Sequence, residues 1–347
     1  MKKRHTIFLS RSYYPNIGGV EKHIYELSKE LVTQGYKITI ITEDILSASV
    51  RSSVKDYGIK GVRVIRIPVG EDNWFKKFRI WKWMWSHREL FKRSDIIHCH
   101  DVFYWYLPLA VIYPHKPVYT TFHGYESYPI KVKAIAYRKV FENMSNRTIC
   151  VGDFMKRWYY ANPTKVIYGA VNISKKSIIK PKKNSAIFIG RLDEHTGIDI
   201  YVKAVKLIRK KLPDFTLTVY GSGPLEKSIT GDGIILMGED PDADKEIPKF
   251  EYAFVSRYLT ILEAMAARRL VVAVYDNPVK KDYLLMTPYK DWIIASNKSE
   301  DVARIIFNKL GSKSKITMIT KSQAWVSHQA WSNLAREYIN LWYKYEK

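Results

Sequence analysis

FVSRYLTILEAMAARRLVVAVYDN, residues 254–277, sets the reading of the whole chain. Val255–Leu259 predicts a short loop, LEAMAA a helix, and the apolar run LVVAVY a buried strand. Thr260 stands where an N-cap would stand, with Glu263 three residues on, as in a capping box. A loop feeding a helix N-terminus is also an anion site, because free N–H groups and the helix dipole point out of it. One carboxylate and a row of backbone donors therefore face the same space. On its own, Glu263 reads equally well as the cap of its own helix.

The same strand–loop–helix grammar runs through the rest. Thr6–Arg11 predicts a first strand, and Pro15, Asn16, Gly18 and Gly19 a loop. Val20, Ile24, Leu27 and Leu31 recur at helical spacing, Gly35 ends that helix, and YKITIIT follows as a strand. Strand, glycine loop, helix, strand is a βαβ unit. No G-x-G-x-x-G is present, so this is not a dinucleotide fingerprint. VRVIRIP (62–68), SDIIHCHD (94–101) and PVYTTFHGYE (117–126) are further strands. YPIKVKAIAYRKVFENMSNRT is a basic helix. NPTKVIYGAVN (162–172) and the charged, proline-containing KKSIIKPKKNSA read as a linker. AIFIGRLDEHTGID opens a second domain. In it, YVKAVKLIRKKLP is a helix, FTLTVYGSGPLEKSI a strand, glycine turn and helix, and IILMGEDPD a strand. The chain closes on an amphipathic helix within QAWSNLAREYINLWYKYEK.

With 347 residues and 46% apolar content, the chain has room for two domains with their own cores. No uncharged apolar run reaches 18 residues, so no spanning helix is expected. Cys99 and Cys150, each in an apolar run, read as buried thiols in a reducing compartment. The net charge of +23 is weighted toward the first half, where 28 Lys/Arg oppose 14 Asp/Glu over residues 1–174. Such a surface suits nucleic acid, an anionic membrane or a phosphorylated ligand. No nucleic-acid motif accompanies it, which favours membrane and phosphate.

Trp74, Phe78, Trp81 and Trp85 share one helical face, flanked by Lys77, Lys82 and Arg88. Aromatic rings at headgroup depth with cations toward anionic lipid make an interfacial helix. Ile80, Met84 and Phe91 form a second arc for the core. His98 and His100 share a strand face, but no third ligand completes a metal site.

SRYLTILEAMAARRLVVA, GRL, GSGP and GGVEKHIYELSKEL together resemble the family-4 retaining glycosyltransferases (glycosyl transferases group 1), and the resemblance spans nearly the whole chain. It implies the GT-B fold: α/β, two Rossmann-like doubly wound domains facing an interdomain cleft. The expected divisions are 1–165, 166–325, and a helix in 326–347 returning to the first domain. It further implies a nucleotide-diphosphate sugar as co-substrate, no metal and no other cofactor. Glu263 would hold the ribose, and Gly18 and Gly19 would face the diphosphate. His123 would sit by the donor sugar. Asp101, at the end of a strand like the family's DIVHAHD, would lie on the acceptor side. Two departures stand out. The family usually has a glutamate where Val255 stands, leaving Ser256, Arg257, Tyr258, Leu259 and Thr260 to approach sugar and phosphates. Its diphosphate clamp pairs an arginine, here Arg191, with a lysine where Thr196 stands, and Arg257 is expected to replace that lysine. No glycosidase-type carboxylate pair is evident.

The activity expected is transfer of a hexose to a lipid-linked or glycan acceptor at the membrane surface, with His123, Arg191 and Glu263 as the reacting-site residues. The location expected is cytoplasmic, peripheral to the inner face of the cell membrane. Two alternatives stay open. One is a nucleotide-sugar-binding protein that has lost turnover; the other is a basic nucleic-acid-associated α/β protein.

Overall fold

The apolar runs become parallel strands, and the segments with apolar residues three and four apart become the helices that connect them. A computed structural model describes residues 4–16, 18–44, 61–173, 179–309 and 313–343. It divides into two units, Met1–Ile167 with Trp331–Lys347, and Tyr168–Ala330.

The first unit holds β1 (His5–Ser10), β2 (Lys37–Glu43), β3 (Val62–Ile67), β4 (Ile96–His100), β5 (Val118–Phe122), β6 (Arg147–Val151) and β7 (Lys165–Ile167). They form one sheet in the order β3-β2-β1-β4-β5-β6-β7. Every pairing is parallel; Ile7, for example, registers with Thr39 on one side and Ile97 on the other. All residues of β4 and β5 are buried, as in a sheet covered on both faces. The helix Gly19–Thr33 buries Ile24, Leu27 and Leu31. The helix Trp331–Tyr343 buries Trp331, Leu334, Ala335, Tyr338, Leu341 and Trp342 and packs against it. Cys99 and Cys150 are free and buried, as expected.

The second unit holds β8 (Lys182–Ile189), β9 (Thr216–Tyr220), β10 (Ile234–Gly238), β11 (Phe250–Phe254), β12 (Leu270–Val274) and β13 (Ile294–Ser296). Their order is β10-β9-β8-β11-β12-β13, again all parallel. The core between sheet and helices includes Phe188, Tyr201, Leu217, Phe254 and Val272. In both sheets the strand order reverses at one place, between β1 and β4 and between β8 and β11. Ligands of doubly wound folds bind outside the strand ends at such reversals.

Four expectations need correction. Lys165–Ile167, read as linker, is the edge strand β7, paired with β6; three residues are too few to show a period. β8 begins at Lys182, within the stretch read as polar boundary, because Lys182 and Lys183 are exposed while the ladder is already formed. After GSGP comes a single 3₁₀ turn, Glu226–Ser228, not a helix. Thr260 is not an N-cap. The helix starts at Tyr258, and Thr260 Oγ1 donates to the Arg257 carbonyl at 2.9 Å. Tertiary pairing overrides local propensity here. Tyr258 and Tyr283 stack at 3.8 Å, the Tyr258 N–H donates to the Tyr283 hydroxyl at 2.9 Å, and the Tyr258 hydroxyl donates to the Tyr283 carbonyl at 2.6 Å.

Candidate functional site

In the second unit, Arg191 follows β8 and the loop 255–257 follows β11, so both stand at the reversal of strand order. The position of the Arg191 loop is set by glycines. A Cβ on Gly221 (φ 144°) would lie 1.9 Å from the Gly190 carbonyl oxygen, and one on Gly223 (φ 155°) would lie 2.5 Å from that of Leu192. No other residue type lets these backbones pass so closely. The contact is stitched by Gly190 N–H to the Tyr220 carbonyl (3.1 Å), Leu192 N–H to the Ser222 carbonyl (2.9 Å) and Leu225 N–H to the Leu192 carbonyl (2.9 Å). The GSGP turn thus holds the Arg191 loop. Leu192 is buried beneath it, and the Arg191 side chain is 79% exposed, with Nε 3.3 Å from Asp193 Oδ2. An exposed guanidinium paired with a single, half-buried carboxylate stays available to an anion.

The expected donor-side residues divide by burial. Val255 and Ser256 are buried, Arg257 is exposed, Tyr258 is buried, and Leu259, Thr260 and Glu263 are half-buried. Tyr258 spends its N–H on Tyr283. Leu259 packs over Gly169 (φ 95°), where a Cβ would lie 2.8 Å from Leu259 Cδ2. Glu263 is the sixth residue of the helix, one and a half turns in from the N-terminus. Thr196 is buried with its hydroxyl donating to the Asp193 carbonyl at 2.8 Å, and its own carbonyl accepts from Ser256 Oγ at 3.1 Å. Thr196 therefore offers no hydroxyl proton outward. Arg257 presents its cation at the helix N-terminus, where an anion is favoured.

In the first unit, His123 follows β5 and Asp101 follows β4 with φ 61°. Asp101 is exposed, and its Oδ1 accepts the His123 N–H at 3.0 Å. His123 Nε2 lies 2.8 Å from His100 Nδ1. Behind it a hydrogen-bonded chain begins in one direction, because indole N–H only donates. Trp342 Nε1–H donates to His98 Nδ1 (3.1 Å), so His98 Nε2–H donates to Thr121 Oγ1 (2.8 Å). Thr121 Oγ1 shares a hydrogen bond with Tyr338 Oη (3.0 Å), and Tyr338 Oη one with His23 Nε2 (3.0 Å). Burial first, and neighbouring imidazoles second, hold His23, His98 and His100 well below the ordinary histidine value. Burial and then Arg138 lower His123 to about 3. Neutral imidazoles of this kind accept and donate hydrogen bonds at neutral pH without carrying charge. Among the described residues no group of three or more His, Cys, Asp or Glu is placed to hold a metal.

Gly18 caps the helix Gly19–Thr33 in extended backbone, and the Glu21 carboxylate folds over it, so that a Cβ there would lie 2.2 Å from Oε2. The N-terminus thus has a carboxylate beside it already, which competes with any phosphate. On the helix Lys76–Ser86, Ile80 and Met84 are fully buried, while Phe78 and Trp85 are 41% and 49% exposed; Trp74, 65% exposed, stands in the turn before the helix and not on its face as expected. Trp81 is half-buried and its indole donates to the Tyr104 carbonyl at 2.8 Å. Lys77 Nζ stands 4.9 Å from the ring centroids of both Trp74 and Phe78. Among the described residues no helix is long and apolar enough to cross a membrane.

Three contributors carried no sequence signal. Lys280 reads as a surface cation but is buried. His23 lies next to the apolar stripe of its helix rather than on it, yet is buried against Tyr338. Arg138, 7% exposed, braces the loop after His123 by donating to the Gly124 carbonyl and pairing with Glu126 at 2.9 Å.

Comparison with known proteins agrees with this architecture. Residues 17–175 match the family model described as Glycosyltransferase Family 4, and residues 183–307 that described as Glycosyl transferases group 1. An uncharacterised glycosyltransferase of Methanocaldococcus jannaschii is 27% identical over 242 residues, 64% of this chain and 61% of that protein. The chain thus spans less than two thirds of that relative. A phosphatidylinositol N-acetylglucosaminyltransferase component of Arabidopsis thaliana is 24% identical over 341 residues, 88% of this chain and 74% of that protein. A glycosyltransferase from Rickettsia africae superposes with a TM-score of 0.73 at 18% identity, covering 100% of both chains. Anabaena HepE in complex with UDP and glucose gives 0.72 at 14%, covering 97% of this chain and 98% of its own. The two sheets have the fold of these GT-B structures, and with both family models matched, the chain belongs to the group 1, family 4 glycosyltransferases.

Proposed function

We propose that the protein moves a hexose from a nucleotide-diphosphate sugar to a lipid-linked or glycan acceptor, with retention at the anomeric carbon. The observation that carries this is local to the second unit. Arg191 and the Arg257 loop with its helix N-terminus follow β8 and β11, the two strands between which the order reverses. Preorganised cations and backbone donors at such a place stabilise a departing diphosphate electrostatically. Arg191 and Arg257 would hold the two phosphates, Glu263 the ribose. In the first unit, His123 is assigned to the transferred sugar and Asp101 to the acceptor. The HepE complex with UDP and glucose supports the donor class. The plant relative, named for phosphatidylinositol, supports a lipid acceptor.

The exposed Trp74, Phe78 and Trp85 with Lys77 and Arg88 beside them support docking on an anionic membrane, and with it a cytoplasmic, peripheral location. A second reading, nucleotide-sugar binding without turnover, draws on buried Val255 and on Thr196, whose hydroxyl is engaged. The deciding experiment is a thermal-shift panel of UDP, GDP, ADP and their sugar conjugates, followed by a transfer assay. A ligand at about 100 times its Kd adds about 2.7 kcal/mol to stability. A shift for one nucleotide that Glu263→Ala abolishes is the expected result. Binding without transfer to any lipid or glycan acceptor would select the second reading, and no shift at all would end both.

A further inference from the structure

Lys280 lies fully buried in the helix Pro278–Leu285. Its Nζ donates to the Ser256 carbonyl and stands 4.4 Å from the centroid of the Tyr283 ring. Ser256 in turn donates its hydroxyl to the Thr196 carbonyl at 3.1 Å. The ammonium therefore pins the peptide that joins Ser256 to Arg257, immediately before the helix Tyr258–Ala266. A cation on a carbonyl oxygen polarises that peptide and strengthens its N–H as a donor, in the same sense as the helix dipole.

The charges around it are incompletely balanced. Arg257 opposes the ammonium, whereas Asp276 and Asp193 favour it, and Asp193 also pairs with Arg191. Burial outweighs these, and holds Lys280 well below the ordinary lysine value. A buried ammonium resting on one carbonyl and one ring face is stabilised when an anion arrives nearby. We propose that Lys280 is a positioning residue for the diphosphate of the donor: it locks the Ser256–Arg257 peptide and places buried positive charge behind the helix N-terminus that receives the phosphates. The proposal rests on the nucleotide-sugar reading and adds to it a residue that reaches the ligand through a peptide rather than by contact.

The test compares wild type with Lys280→Met, which keeps the chain length and removes the charge, and with Lys280→Arg. Calorimetric titrations use UDP, GDP and ADP and, in parallel, uridine, guanosine and adenosine. The diphosphate that binds wild type should bind K280M about tenfold or more weakly, as for loss of one hydrogen bond to a charged group. Its nucleoside should bind both proteins alike, and K280R should recover most of the loss. Equal weakening of diphosphate and nucleoside would make Lys280 purely structural and overturn the proposal, as would unchanged affinity for both. Should K280M not fold, wild type alone still decides. Its affinity for the diphosphate relative to the nucleoside should fall as pH is raised toward the ordinary lysine value, because Lys280, held below that value, loses its proton first. A flat ratio overturns the proposal. Wild type binding none of the three diphosphates would instead overturn the nucleotide-sugar reading itself.

Discussion

The indole N–H of Trp342 donates to Nδ1 of buried His98 at 3.1 Å, joining two residues 244 positions apart. That bond fixes the tautomer of His98 and makes it the donor to Thr121, from which the chain continues through Tyr338 to His23. Tyr338→Phe keeps the ring but removes the hydroxyl in the middle. It leaves Thr121 and His23 each without a partner they now have, and should cost about 1–3 kcal/mol. Urea denaturation at neutral pH measures it, and a change within error would mean the chain contributes nothing.

The same histidines set the acid limit of the fold. Their folded values lie below the 6.5 of an ordinary histidine. As pH falls through about 6.5, the unfolded chain takes up protons that the native protein refuses, so stability drops. Each histidine contributes a slope of up to about 1.4 kcal/mol per pH unit. Melting temperature should fall steadily from pH 7 to 5, and Tyr338→Phe should shift the level more than the slope. A flat profile over that window would contradict the burial of neutral imidazoles.

Gly221→Ala places a methyl 1.9 Å from the Gly190 carbonyl at a φ that L-residues avoid. The Arg191 loop must then move. The expected result is a loss of about 1–3 kcal/mol of stability together with weakened diphosphate binding. Calorimetric titration with the diphosphate, alongside urea denaturation, checks both.

Arg257→Ala removes an exposed cation from a helix N-terminus. Stability should change by no more than about 0.5 kcal/mol. Nucleoside diphosphate affinity should fall about tenfold or more if Arg257 meets a phosphate. Near-wild-type affinity would leave Arg191 as the phosphate ligand without Arg257.

The exposed aromatics at the helix Lys76–Ser86 and its buried arc should separate in a vesicle assay. Trp74→Ala with Phe78→Ala should leave stability within about 0.5 kcal/mol per site and abolish sedimentation with phosphatidylserine vesicles. Ile80→Ala, in the buried arc, should cost about 2–5 kcal/mol and leave sedimentation of the folded fraction intact. The reverse pattern would return the aromatic arc to an ordinary surface.

What was legible in the sequence is what depends on period and punctuation. Apolar runs marked the central strands, and the spacing of Ile24, Leu27 and Leu31 marked their helix. Gly190-Arg191 and GSGP marked loops whose contact the structure then supplied. What was not legible depends on partners far along the chain. Thr260 has every local mark of a cap, yet Tyr283, 23 residues on, decides where that helix begins. Lys280 carries the signature of a solvated surface residue; only packing against Ser256 and Tyr283 buries it. The edge strand Lys165–Ile167 is recognisable only beside β6.

The division of the chain has a consequence for the order in which it folds during synthesis. The second unit is one continuous stretch, Tyr168–Ala330, and has all its strands as soon as residue 330 has been made. The first unit is split, and its sheet waits for Trp331–Tyr343 to fill His98, Tyr119 and Thr121 with their hydrogen-bond partners. Of the two units, the one whose strands are begun first is therefore the one completed last. Until then its histidine-lined face is open to a chaperone or to acid, and a nascent chain stalled short of Tyr338 should be more protease-sensitive in its first unit than in its second.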